Sequence, residues 1–135
     1  MKLEYLDDIT DGGKYPDADP DKLIRLFSFD QEEAEKLANV IQYWLVNKKE
    51  SLEVSNLPFV KSVNCSLTLQ ISPEDLGIVP SNDNNFISQL TLDRYLKMIS
   101  YIRAFCDNEE LNGYNWLYDP GDGQIDLLFS PSGTW

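Results

Sequence analysis

The stretch Lys22-Leu23-Ile24-Arg25-Leu26-Phe27-Ser28-Phe29, followed at once by Asp30-Gln31-Glu32-Glu33-Ala34, decides how the rest of the chain is read. Leu23, Phe27 and Phe29 fall on one face of an extended segment. Ile24 and Leu26 make the opposite face apolar as well, which is the mark of a strand central in its sheet. Asp30 then reads as a helix N-cap: Glu33 stands three residues on, as a capping box requires, and Glu32, Glu33 and Glu35 complement the positive end of the helix dipole. Ala34, Leu37, Ala38, Ile41, Trp44 and Leu45 recur at steps of three and four along one stripe, and Lys48 and Lys49 suit the far end.

Downstream, residues 51–55 form a short strand candidate. Cys65, Leu67, Leu69 and Ile71 alternate with Asn64, Ser66, Thr68 and Gln70, so one face of that strand is buried and the other polar. Pro73 ends it. Gly77-Ile78-Val79 and Phe86-Ile87-Ser88-Gln89-Leu90 supply one interrupted or two short strands around a polar loop. Thr91 caps a second helix, with Leu90 and Tyr95 placed as a hydrophobic staple and Leu92, Tyr95, Leu96, Ile99, Ile102, Phe105 and Cys106 as its apolar stripe. Tyr114-Asn115-Trp116-Leu117-Tyr118 and Gln124-Ile125-Asp126-Leu127-Leu128-Phe129 flank Asp119-Pro120-Gly121-Asp122-Gly123, a proline and two glycines between apolar runs, which signals a hairpin. Upstream, residues 1–21 read as an acidic loop carrying Gly12-Gly13, Pro16 and Pro20.

Runs of consecutive strands predict an α+β fold: a single, mostly antiparallel sheet of about five to six strands with two helices packed on one face. No repeat and no Gly/Ser linker divides the 135 residues, so one domain over 1–135 is expected. No apolar run is long enough to span a membrane or to act as a signal peptide, and a cytoplasmic location follows as the expectation. Cys65 and Cys106 sit inside apolar patterns and read as reduced packing residues.

The chain carries a formal charge of −12, and it is unevenly placed. Residues 1–21 hold seven acids and two lysines, a net −5, residues 107–126 hold six acids and no base, and the remainder contributes only −1. Such a field repels nucleic-acid phosphates and anionic membranes and favours encounter with a basic protein. The chain has no histidine, which removes Ser-His-Asp and Cys-His arrangements and most zinc sites. Asp17-Ala18-Asp19-Pro20-Asp21 has the alternating aspartates that open a calcium loop, but Lys22 stands where the glycine belongs. Asp119 and Asp122 with Asp126 could gather round a cation, although aspartate and glycine in that order are what a tight turn demands. No cofactor and no metal site are expected.

One feature draws toward binding. Tyr114, Trp116 and Tyr118 share a face of a strand, and with Trp135 they form an aromatic set rimmed by Asp107, Glu109, Glu110, Asp119 and Asp122. The competing reading makes that face the core of the sheet. Leu57-Pro58-Phe59-Val60, Cys65-Ser66-Leu67-Thr68-Leu69, Gly113-Tyr114-Asn115-Trp116-Leu117-Tyr118 and the stretch Leu127 to Trp135 together resemble a family of small bacterial α+β proteins with no activity attached; the resemblance implies a bacterial domain and no site. In size, acidity and lack of catalytic residues the chain is also similar to immunity proteins that neutralise basic toxins. The leading expectation is therefore a non-enzymatic module, of inhibitor or immunity type, that binds a basic protein. The alternatives are a carboxylate-based enzyme or small-ligand or cation binder, and an acidic mimic of nucleic acid.

Overall fold

The computed structural model of the chain describes residues 1–107, 111–121 and 124–135. Nine strands and two α-helices are found among these residues: β1 (Lys2–Leu6), β2 (Leu23–Phe27), α1 (Gln31–Ile41), β3 (Leu52–Glu53), β4 (Lys61–Ser62), β5 (Ser66–Ile71), β6 (Gly77–Asn82), β7 (Asn85–Leu90), α2 (Leu92–Arg103), β8 (Asn115–Tyr118) and β9 (Asp126–Ser130). A π-helical segment, Gln42–Asn47, prolongs α1. No helix among the described residues is long and apolar enough to cross a membrane.

Both helix starts follow from local chemistry. Asp30 accepts from the Glu33 backbone N–H at 2.8 Å, and the Glu33 side chain accepts from the Asp30 N–H, closing the capping box. At α2 the Thr91 hydroxyl accepts from the Arg94 N–H. Each cap satisfies backbone donors that the first helical turn leaves without partners.

The expected single antiparallel sheet is not what forms. The strands make two mixed sheets, one of five strands in the order β4-β1-β2-β9-β8 and one of four in the order β3-β5-β7-β6. The pairs β1–β4, β2–β9 and β5–β7 are parallel. The rule that sequence neighbours pair in space holds on only one edge of β2. One edge of β2 is taken antiparallel by β1, a strand lying in what reads as loop, and the other is taken in parallel by β9, reached through a long crossover that contains both helices and the whole second sheet.

Strand register gives the five-stranded sheet two distinct faces. Leu3, Ile24, Leu26, Leu127 and Phe129 lie on the inner face and belong to the main core. Phe129 stacks on Phe29 at 4.1 Å and meets Phe105 edge-on at 5.3 Å, joining β9 to the start of α1 and the end of α2. The second sheet enters the same core through Leu67, Leu69, Phe86 and Leu90. Tyr5 of β1 meets Phe86 of β7 at 4.5 Å between ring centroids.

Leu23, Arg25, Phe27, Asp126 and Leu128 share the outer face, where Leu23 pairs with Asp126 and Arg25 with Leu128. Leu23 and Leu128 are fully buried yet stand outside the main core cluster. Segment 131–135 crosses this face. Arg25 lies 4.1 Å over the Phe27 ring, bonds Glu4 through Nε at 2.8 Å, and donates from Nη1 to the Gly133 carbonyl at 2.9 Å. Gly133 has φ of 81°, and a Cβ there would fall 2.8 Å from Arg25 Nη1, so the close approach needs glycine.

Candidate functional site

The segment between β1 and β2 folds over the end of the outer face as a string of turns. Ile9 N–H donates to the Asp21 carbonyl at 3.1 Å and Tyr15 N–H to the Thr10 carbonyl at 2.8 Å, closing the loop on itself. Asp8 is committed within it: its carboxylate accepts from Gly12 N–H at 2.7 Å and from the Thr10 hydroxyl, contacts that hold it below the usual carboxylate range. Among the described residues, the carboxylates of Asp17, Asp19 and Asp21 make no such hydrogen bonds. They line a cleft of about 370 Å³ together with Pro16, Pro20, Gly121 and Gln124.

Asp126, the first residue of β9, lies beside Lys22 and Leu23, just past this loop, and does not itself line the cleft. Only 4% of Asp126 is exposed, and among the described residues its Oδ1 has no hydrogen-bond partner. Burial first, then the Asp119 carboxyl within hydrogen-bonding reach, then the charges of Asp19 and Asp21, push the Asp126 carboxyl up to about 7. Acids from the two ends of the chain therefore converge in space. Among the described residues the side-chain ion pairs are Arg25–Glu4, Lys36–Glu32 and Arg94–Asp75, and Glu33 pairs with the Met1 amine; none involves Asp17, Asp19, Asp21, Asp119 or Asp126. The calcium-loop aspartates do not converge with others on one point: among the described residues, no three His, Cys, Asp or Glu side chains form a group that could hold a metal ion.

The aromatic set divides. Tyr114 is 45% exposed and meets Trp116 edge-on at 6.1 Å, and Trp116 meets Trp135 at the same separation. Trp135 Nε1 donates to the Asp19 carbonyl at 3.3 Å, so these three rings lead in a row from the β8 edge to the acidic cleft. Tyr118 is not among them. The β8–β9 register slips between Trp116 and Tyr118, and this bulge turns Tyr118 into the main core, under the Arg94 guanidinium. Asp107 is exposed beside Cys106, and Asp119 is exposed at the end of β8. Glu109, Glu110 and Asp122 lie outside the described residues.

In the sequence Asp17, Asp19 and Asp21 read only as an incomplete calcium loop and Asp126 only as a hairpin acid, and Gln124 carries no signal. A signal for Asp126 existed: it is the one charge within Ile125-Asp126-Leu127-Leu128-Phe129, a run that is buried throughout. Both cysteines are free thiols. Burial raises each, with Cys65 pushed up to about 11, so neither is poised as a nucleophile.

A larger groove of about 500 Å³ follows β6 and is lined by Tyr5, Val79, Pro80, Phe86 and Ile125 among others. Among the described residues its charged lining residues are Lys22 and Asp83. The acidic cleft is instead lined by three carboxylates, Asp17, Asp19 and Asp21, with no ion-pair partner among the described residues. No protein-family model, curated protein or solved structure matches the chain.

Proposed function

We propose that the chain is a non-catalytic protein-binding module that engages a basic partner through the acidic cleft, with Tyr114, Trp116 and Trp135 as the aromatic shoulder of the contact. The observation that carries this reading is that Asp17, Asp19 and Asp21 line one cleft, with Asp119 and Asp126 close enough to Asp19 and Asp21 for their charges to act on one another, and that none of the five pairs with a lysine or arginine among the described residues. A concave site of one sign focuses field lines and speeds association with the opposite charge. Tyrosine and tryptophan beside it offer rigid contact area and cation–π partners for lysine and arginine.

Binding of a fluorescent oligolysine peptide at low ionic strength tests it. Neutralising Asp17, Asp19, Asp21 and Asp119 together to Asn is expected to weaken binding at least about tenfold, equivalent to about 1.4 kcal/mol. Neutralising four exposed acids away from the cleft, Glu32, Glu35, Glu74 and Asp93, lowers net charge equally and is expected to change it far less. Equal losses in the two variants would mean that total charge alone is responsible, and the cleft would have no special part.

One observation favours a second reading, a carboxylate acid–base site: a carboxyl pushed to about 7 beside another carboxyl is the arrangement that proton transfer near neutrality uses. Under that reading a small ligand competes for the cleft, and oligolysine binding is indifferent to the four cleft neutralisations.

A further inference from the structure

We infer that Lys2, Lys61 and Ser28 form a binding site for a small phosphate monoester, at the opposite end of β1 from the acidic loop and independent of the protein-binding function proposed above. Strand register creates the site. The parallel β1–β4 pair sets Lys2 directly beside Lys61, although the two are far apart in the chain. The Met1 carbonyl accepts from the Lys61 N–H and the Leu3 carbonyl from the Val63 N–H, each at 2.9 Å, so the register is held on both sides of the lysine pair. Residues paired across two strands present their side chains on one face, and both lysines line a single cavity of about 260 Å³ together with Ser28, the residue after β2.

Like charges set side by side across strands are destabilising unless a counter-charge joins them. Among the described residues neither lysine makes an ion pair. Two acids stand near, and both are committed elsewhere. Glu4, two positions from Lys2 on the same strand, accepts from Arg25 Nε at 2.8 Å, and Glu33 accepts from the Met1 amine and from the Asp30 N–H. The acidic loop begins beyond Leu6. At about 3.3 Å per residue, β1 holds Lys2 about 13 Å from Leu6, past the screening length of about 8–10 Å at ordinary salt. What the lysine pair lacks is negative charge brought from outside.

Ser28 points the same way on separate grounds. Its φ of 56° is left-handed, a conformation in which glycine is under least strain. Its N–H serves the turn by donating to the Pro131 carbonyl at 2.9 Å, whereas its hydroxyl has no hydrogen-bond partner among the described residues. The turn therefore uses the backbone of Ser28 and leaves the hydroxyl free at the rim of the cavity.

The class of ligand follows from the donors. Two ammonium groups and a hydroxyl offer two positive charges and several N–H and O–H donors. A phosphate monoester answers with a charge of about −1.5 to −2 at neutral pH and three acceptor oxygens, where a carboxylate brings one charge and two oxygens. Pro58, Phe59 and Val60 supply an apolar wall for the group that carries the phosphate, and Phe59 is only half-buried. The cavity is smaller than the roughly 300–1,000 Å³ of pockets that take drug-sized ligands, so the carrier is small.

Titration of the protein with phenyl phosphate, inorganic phosphate and benzoate at fixed ionic strength and about pH 7.5, where the phosphates are dianions, tests the site by proton–nitrogen NMR. Phenyl phosphate is expected to shift the amides of Lys2, Ser28 and Lys61 saturably, inorganic phosphate to shift the same amides with weaker affinity, and benzoate to bind at least about tenfold more weakly than phenyl phosphate. K2Q and K61Q are each expected to weaken phenyl phosphate binding at least about fivefold, and S28G by less. The double variant K48Q/K97Q removes as many charges as K2Q/K61Q from exposed positions elsewhere and is expected to leave binding within about twofold of the parent. Without ligand, K2Q, K61Q and S28G are expected to unfold in urea at midpoints equal to or above the parent's, an outcome that a merely structural role for these side chains would reverse. Benzoate binding as tightly as phenyl phosphate would overturn the phosphate class, and equal affinity for inorganic phosphate would overturn the monoester in favour of the free ion. K2Q/K61Q binding like the parent, or losing no more than K48Q/K97Q, overturns the site. Should the lysine variants not fold, the parent protein alone decides: amides of Lys2, Ser28 and Lys61 that stay unmoved by phenyl phosphate overturn the inference.

Discussion

Tyr95 shows what a single residue contributes here. Its ring is fully buried in α2, and its hydroxyl donates to the Gln70 carbonyl of β5 at 2.7 Å while lying 3.0 Å from Ser88 Oγ of β7. One phenol thus ties a helix to two strands of the four-stranded sheet, and burial pushes it up to about 12, so it stays neutral. Tyr95→Phe removes the hydroxyl and leaves Ser88, also fully buried, without that partner; the expected loss is about 1–3 kcal/mol. Urea unfolding of Y95F, S88A and the double variant checks this, with the double variant losing less than the two singles added together. A loss under half a kcal/mol in Y95F would mean that the hydroxyl contributes little. The sequence marks Tyr95 as a core position by its helical spacing, but it cannot show the hydroxyl's partners, which come from strands 25 and 7 residues away.

At the scale of elements, local signals are legible and pairing is not. Asp30 and Thr91 cap helices where their spacing says they should, because a cap is decided within four residues. Asp30→Ala removes the acceptor for the Glu33 N–H and is expected to lower stability by about 1 kcal/mol, read as a shift in the urea midpoint, whereas Asp30→Ser retains a capping oxygen and most of the stability. Equal losses in the two variants would deny the cap its role. Strand β1 was less visible: in Lys2–Leu6 only Leu3 is fully buried, and the charged residues around it mask the alternation. The β8 bulge leaves no local mark at all. Strict alternation would put Tyr118 beside Trp116, yet the slip in register sends it to the core, where its oxygen would lie 3.3 Å from a Cβ placed on Gly77 of β6. That contact belongs to the meeting of the two sheets, which neither run of sequence specifies alone.

At the scale of the whole molecule, the excess of acids at the two ends is visible in the sequence, but their meeting depends on β9 lying beside β2, the parallel pairing that strand order alone does not predict. That pairing places Asp126 next to Leu23, only two residues past Asp21, and so makes an acidic cleft out of two segments about a hundred residues apart. The consequence is a pH dependence with a definite sign. Asp126 ordinarily ionises near 3.8 and in the fold is pushed up to about 7. Between those values the folded chain keeps a proton that the unfolded chain has released, so stability is fully supported in acid and falls as pH rises, by up to about 1.4 kcal/mol per pH unit for one proton, levelling off above about pH 7. Asp8 and Asp75 lie below the usual carboxylate range, so their contribution runs the other way, present above about pH 4 and lost as pH falls further. Stability is therefore expected to peak in mild acid, between about pH 4 and pH 5. General self-repulsion of a −12 chain also grows as carboxyls ionise, and D126N separates the two causes: it keeps the bulk of that charge but has no carboxyl to titrate under the loop. Urea midpoints of the parent and D126N from about pH 4 to pH 8 are expected to diverge steadily up to about pH 7 and run parallel above it. Parallel curves across the whole range would show that Asp126 does not hold its proton in the fold.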